Sequence, residues 1–394
     1  MVRTLMPTSD RGADADRDTQ AWRALRGRGV GTGGGRMRGW TGHPNRRNEV
    51  AVPLPWSAEL AGRLDRHVLP FESLRGNPLG DPVERPLNVY VPPGYDDQPD
   101  RRYPSIYVLQ GYTGHLAMWD NRSPYRLTFV EAADGVFARE EAPPAIVVFV
   151  DAWTLYGGSQ FVDSPGTGNY HSYLCNDVVP WVDAHYRTLD APQHRGVTGK
   201  SSGGFGAFVT PMLRPDLFGG LASHAGDSLY ELSYIHEFAK ATRALRSYDG
   251  DIWRWWADFQ SRPGATKSDD MLLLITLGCA ACFSANPDGS VELPFDTRSG
   301  RLREDVWQRW LDWDPVRMVA KHADALRSQR AIWIDAGTRD EWFLDLGAQA
   351  MVDALAEIGV TDVRFETFDA GHGGIDYRYP LSLTYLAQKL TPQP

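Results

Sequence analysis

The stretch that decides the fold is His194–Gly204, HRGVTGKSSGG. Arg195-Gly196-Val197-Thr198 reads as a strand, and Phe205–Leu213 reads as a helix stopped by Pro215. Between them lies Gly199-Lys200-Ser201-Ser202-Gly203, a G-x-S-x-G pentapeptide followed at once by Gly204. A strand that turns this sharply into a helix has no room for Cβ atoms around the tip, and glycines stand two residues before and two after Ser201. The turn lifts a serine hydroxyl clear of the sheet edge, beside the positive end of a helix. Ser201 is thus the candidate nucleophile. Ser202 would fall in the first helical turn, away from the tip. An ordinary Gly/Ser-rich turn carries the same letters, so the remaining chain must supply a base, an orienting acid and oxyanion donors.

Working outward, apolar runs alternate with helix-like segments. Arg66–Phe71 reads as an edge strand, Leu87–Val91 as a strand ending at Pro92-Pro93-Gly94, and Ser105–Leu109 and Ala145–Val150 as strands buried on both faces. Tyr170–Tyr186 has Leu174, Val178, Trp181 and Val182 at helical spacing, with a kink expected at Pro180. After the serine turn come strand Leu217–Ser223, strand Ala331–Ile334, helix Leu344–Ile358 stopped by Gly359, strand Val363–Phe368 and helix Ile375–Leu390. Residues 226–320 break the alternation with aromatic helical pieces, read as an insertion over one sheet edge, either a cap above the site or a stabilising annex. This is an α/β pattern: a mainly parallel central sheet with helices on both faces and a cap-like helical insertion. Ligands then bind beyond the carboxyl ends of the strands.

Three loops at such strand ends carry chemistry: Ser201, then Asp340 in Asp335–Trp342, then His372 in Asp369–Gly374. The order Ser…Asp…His is that of the α/β-hydrolases. A serine hydroxyl needs an imidazole to take its proton during attack, and the imidazole needs a carboxylate on its other nitrogen. Asp335 is still on its strand and Glu341 adjoins Asp340, so Asp340 is the expected acid. His224, after the strand following Ser201, reads as a hydrogen-bonded structural histidine. The oxyanion calls for preorganised N–H donors, expected from the backbone of Ser202 and from the loop Gln110-Gly111-Tyr112-Thr113-Gly114. Gln110, His115, Trp153 and Trp342 are the expected pocket residues, since each stands in or near a loop that follows a strand.

Composition removes other classes. The 394 residues are 42% hydrophobic and 23% charged with a net charge of −9, an ordinary soluble composition that gives no support for a nucleic-acid partner. Three cysteines make no disulfide framework, and the C-x-x-C at Cys279–Cys282 lacks both a second pair for zinc and a thioredoxin-like context. No metal or cofactor is expected. Met271–Phe283 is too short to span a bilayer and the N-terminal residues lack the apolar core segment of a secretory signal, so a cytoplasmic protein without a membrane partner is expected. Residues 1–48 hold ten arginines, four aspartates and nine glycines, and read as a disordered leader before a domain at 49–394.

As a set, LNVYVPPGY (87–95), YVLQGYTG (107–114), GKSSGG (199–204), GTRDEWFL (337–344) and GHGG (371–374) resemble the esterase family that includes esterase D (S-formylglutathione hydrolase), enterochelin esterases, feruloyl esterases and the antigen 85 mycolyltransferases. The resemblance runs from about Leu64 to the C-terminus. It implies an α/β-hydrolase fold and metal-free serine ester hydrolysis through an acyl-enzyme, with nucleophile, acid and base on Ser201, Asp340 and His372 and the oxyanion donors on Tyr112 and Ser202. The sequence departs from the family at Gln110, where His or Asp is usual, and at Ser202, where Met is usual. The expected function is carboxylester hydrolysis of a small-molecule substrate. An acyltransferase with the same triad, and a non-catalytic binding or scaffold protein on this fold, are the alternatives.

Overall fold

The computed structural model describes residues 59–392 apart from Pro124. The expected leader at 1–48 lies outside the described residues. Eight strands form one sheet: β1 (Arg63–Pro70), β2 (Glu84–Val91), β3 (Ser105–Leu109), β4 (Ile146–Val150), β7 (Arg195–Lys200), β8 (Gly220–His224), β9 (Ala331–Gly337) and β10 (Arg364–Phe368). Two residue pairs, β5 (Asp163–Ser164) and β6 (Gly168–Asn169), make a separate small ribbon. The order across the sheet is β1-β2-β4-β3-β7-β8-β9-β10. The first two pairings are antiparallel and every one from β4 onward is parallel. This is an α/β-hydrolase arrangement, and the chain's apolar runs explain it. β3, β4 and β9 are buried at every residue, as strands covered on both faces must be, whereas edge strand β1 alternates between exposed and half-buried.

Helices Ser202–Leu213 and Tyr379–Leu390 lie against the sheet, the latter contacting β8 and β9, and helix Val179–His185 is tied to β7 by the Asp183–Arg195 ion pair at 2.6 Å. The helix expected over 170–186 forms as one run in three parts: α over Tyr170–Ser172, π over Tyr173–Val178 and α again over Val179–His185. Pro180 has no N–H to offer the Asn176 carbonyl, and its ring crowds that carbonyl. The wider π turn just upstream is where the helix absorbs the misfit. Among the described residues no helix is long and apolar enough to cross a membrane. The run Met271–Phe283 instead lies in helix Asp270–Phe283, which carries Cys279 and Cys282 as buried free thiols. Burial pushes the Cys279 thiol up to about 12, which suppresses thiolate chemistry there.

The β8–β9 connection holds the helices of the expected insertion. They include Tyr230–Ser233, Ile235–Leu245, Ile252–Gln260, Asp270–Phe283, Glu304–Leu311 and Pro315–Lys321. The helical pieces break at Tyr234, between Tyr230–Ser233 and Ile235–Leu245, and around Asp312–Asp314, between Glu304–Leu311 and Pro315–Lys321. Asp314 explains the second break. Its carboxylate caps Pro315–Lys321 through Val316 N (3.1 Å) and also accepts from Leu229 N (3.0 Å) and Tyr230 N (2.9 Å). One fully buried side chain thus joins the start of the connection to its end. Asp314→Ala leaves three backbone donors without their acceptor, and urea unfolding is expected to show a loss of about 3 kcal/mol.

Candidate active site

The serine turn is strained. Ser201 has φ 59° and ψ −126°, a region that L-residues seldom occupy. Its backbone N–H donates to the carbonyls of His224 (3.0 Å) and Ala225 (3.1 Å), which ties the tip to the end of β8. The glycines allow the crossing. A Cβ on Gly199 would stand 2.3 Å from the Gly203 carbonyl oxygen, and one on Gly203 would stand 2.3 Å from that of Leu109 at the end of β3. Strand, helix and neighbouring strand therefore meet backbone to backbone beneath Ser201.

His224 is fully buried and holds partners on both nitrogens: Nδ1 with Asp335 Oδ1 at 2.6 Å and Nε2 with Ser382 Oγ at 2.8 Å. Asp335 also accepts from Trp333 Nε1 (2.9 Å) and Arg378 Nε (2.8 Å). This confirms His224 as structural. Its partners come from β9 and from helix Tyr379–Leu390, far away in sequence.

Asp340 and His372 come together at the ends of β9 and β10. His372 Nδ1 lies 2.7 Å from Asp340 Oδ2, and the Asp340 carboxylate is buried. With an ionised carboxylate as acceptor, Nδ1 carries the proton and Nε2 is left facing outward from that pair. Asp340 Oδ1 accepts from Trp342 N at 2.9 Å, which fixes the carboxylate plane. Glu341, the rejected rival, has a separate task. It accepts the backbone N–H of His372 at 2.8 Å, and that bond holds its carboxyl below the usual range. The Trp342 ring stands edge-on to the His372 ring, with centroids 4.8 Å apart.

Ser201, Ser202, Gly111, Tyr112, Trp342 and His372 line one cavity of about 290 Å³. Among the described residues Ser201 Oγ makes no hydrogen bond, and it shares the cavity with His372. The loop after β3 lies against the serine turn: a Cβ on Gly111 would be 3.5 Å from that of Ser201. The Tyr112 side chain is anchored at its hydroxyl end. Its hydroxyl meets the carbonyls of Tyr156 and Leu274 (2.8 Å for the latter), and its ring fills the space beside Gly278 on helix Asp270–Phe283.

Three expected pocket residues are corrected. Gln110 is buried and donates from Nε2 to the Gly114 carbonyl (2.7 Å), closing its own loop without lining the cavity. His115 is exposed and borders a separate depression with His67 and Asp151. Trp153 lies outside the cavity, its carbonyl accepting from Arg85 and from the Tyr170 hydroxyl. The loops turn away from the strand ends, so proximity in sequence did not carry these side chains to the site. The walls come instead from the insertion, through Tyr234, Met271, Ile275 and Cys279, and from Lys200, Asp227 and Gln160. Lys200 had a legible signal: it precedes the serine at the strand end. Gln160 had none.

With this geometry in hand, the comparisons are direct. The model of the family described as "Putative esterase" matches residues 82–383. The chain belongs to this family. It is 24% identical over 158 residues to the uncharacterized protein YbbA of Bacillus subtilis, covering 37% of this chain and 58% of that one. It is 28% identical over 144 residues to Esterase Rv1288 of Mycobacterium tuberculosis, covering 36% and 28% respectively. The chain therefore spans less than two thirds of the length of either relative. In structure it is similar to a ferulic acid esterase, with a TM-score of 0.54 and 18% identity over 84% of this chain and all of that one. That likeness shows the α/β-hydrolase fold.

The backbone crossing under Ser201 makes a specific demand. Gly203→Ala drives a methyl into the Leu109 carbonyl. Urea unfolding is expected to show a loss of about 2–3 kcal/mol, with a near-native far-UV spectrum at low denaturant.

Proposed function

We propose that this protein is a serine carboxylester hydrolase acting on a small-molecule ester through an acyl-enzyme. The observation that carries the reading is the 2.7 Å contact between His372 Nδ1 and Asp340, with His372 and the strained Ser201 on the wall of one cavity. Family membership supports the ester as substrate class.

In this reading Ser201 Oγ attacks the ester carbonyl while His372 Nε2 takes its proton. Asp340 holds the imidazole in the Nδ1–H form and stabilises the imidazolium, itself staying ionised. The carbonyl oxygen becomes an oxyanion between the backbone N–H groups of Ser202 and Tyr112, at the start of helix Ser202–Leu213. Collapse breaks the bond to the alcohol, which leaves with the proton from His372. Water then adds to the acyl-enzyme with His372 again as base, releasing the acid and restoring Ser201. Glu341 acts through the His372 backbone and is a positioning residue.

Hydrolysis of p-nitrophenyl butyrate tests the assignment. Ser201→Ala is expected to lose at least about a thousandfold in kcat, and Asp340→Asn about ten-thousandfold because the imidazole loses its tautomer. A fluorophosphonate is expected to label the wild type and not Ser201→Ala. Full activity in Ser201→Ala overturns the reading, and an unlabelled, inactive wild type favours a binding protein. Product analysis with an added alcohol separates hydrolysis, which yields free acid, from acyl transfer, which yields a new ester.

A further inference from the structure

Two carboxylates that the proposed reaction does not use line the cavity around Ser201: Asp376, which pairs with Arg126 at 2.7 Å, and Asp227, which has no such pair among the described residues. Asp227 follows β8 and is only 8% exposed. Its Oδ2 accepts from the Tyr234 hydroxyl (2.9 Å) and the Ser202 hydroxyl (3.3 Å), with Gln160 Nε2 at 3.5 Å. Oδ1 accepts nothing among the described residues. No lysine, arginine or histidine among them lies at ion-pair distance from Asp227. Burial pushes this carboxyl up, and the hydrogen bond from the Tyr234 hydroxyl is the largest effect opposing the shift. A buried carboxylate without a counter-ion is costly, and such groups gather where a ligand completes them.

Two side chains on the same cavity wall also lack a partner. Gln160 is 2% exposed, and its Nε2 is directed to Asp227 and to Cys279 Sγ (3.3 Å), leaving Oε1 with no hydrogen bond. Ser233 is 2% exposed and its hydroxyl is likewise unbonded. The cavity's cation does not resolve this. Lys200 is drawn down from the ordinary lysine range by burial, against the pull of Asp376, Asp340 and Glu341. The carboxylates whose charge acts on Lys200 are Asp376, Asp340 and Glu341, and Asp227 is not among them.

We propose that Asp227, Gln160 and Ser233 form a subsite for a primary ammonium group, so that the substrate is an amine-bearing ester. The proposal rests on the esterase reading above. An ammonium offers three donors, and the wall offers two unused acceptor oxygens and a hydroxyl. A neutral hydroxyl offers one donor and no charge for Asp227, and a carboxylate offers neither. Met271, Ile275, Leu344 and Trp342 line the same cavity and suit the carbon skeleton, and excluding water there strengthens the charge pairing.

The test uses three probes of equal length, pentylamine, 1-pentanol and pentanoate, as inhibitors of p-nitrophenyl butyrate hydrolysis at neutral pH. The inhibition constant of pentylamine is expected to be about tenfold below those of the other two, and Asp227→Asn is expected to raise it to the level of pentanol. Equal inhibition by pentanol, strongest inhibition by pentanoate, or an unchanged pentylamine preference in Asp227→Asn overturns the proposal. So does an Asp227→Asn that lowers kcat without moving the probe order, which would assign Asp227 to His372. If Asp227→Asn fails to fold, the wild-type order decides and Gln160→Leu repeats the comparison. A wild type that hydrolyses no ester refutes the esterase reading instead. Thermal shifts with the same probes still read the subsite in that event.

Discussion

The strained backbone at Ser201 is the constraint on which the site depends. A non-glycine residue in that conformation costs on the order of 1–3 kcal/mol and persists only when its surroundings over-determine it. Here they do. The Ser201 N–H is held by the two carbonyls at the end of β8, and the Phe205 N–H closes the first helical turn onto the Ser201 carbonyl at 2.8 Å. Gly199 and Gly203 let β7, the following helix and the end of β3 touch through backbone atoms alone. The hydroxyl is therefore placed by main-chain contacts, which are stiffer than any side-chain support.

The end of β8 is itself anchored from below. His224 bridges Asp335 of β9 and Ser382 of the last helix, and Arg378 extends the array to Glu366 of β10. One network thus links the end of β8 to β9 and β10, the strands that present Asp340 and His372. Burial opposes the Asp335 charge, yet His224, Trp333 and Arg378 together hold its carboxyl below the ordinary range. Removing one member of such a network leaves the others unpaired in a dry interior. On the other side of the cavity, Tyr112 fastens the loop after β3 to helix Asp270–Phe283, so the insertion and the proposed oxyanion loop are one packed unit.

The parts of the site that rest on backbone geometry were legible in the chain. Ser201, Asp340 and His372 each stand just beyond a parallel strand, and glycines mark the turns that carry them. The ladder β7 to β10 brings these ends side by side. The pocket was far less legible. Gln110, His115 and Trp153 follow strands as closely as Trp342 does, yet only Trp342 reaches the cavity. A loop of a few residues can turn either way, and its side chains go where long-range packing sends them. The same limit hid Asp227, Gln160 and Ser233, whose polar atoms matter because of what does not lie near them.

Sequence by itself determined the alternation of strands and helices, the strained serine turn and the order of Ser201, Asp340 and His372 along the strand ends. Those features follow from apolar periodicity and from where glycine is sterically required, which are local properties. Only the tertiary structure decided that helices 230–283 wall the cavity, that Glu341 holds the His372 backbone while Asp340 holds its ring, and that Asp227 is left without a counter-charge. Each of these depends on residues tens of positions apart meeting at distances of a few ångströms. Hydrophobic burial selects that meeting for the whole chain at once, and no short stretch encodes it.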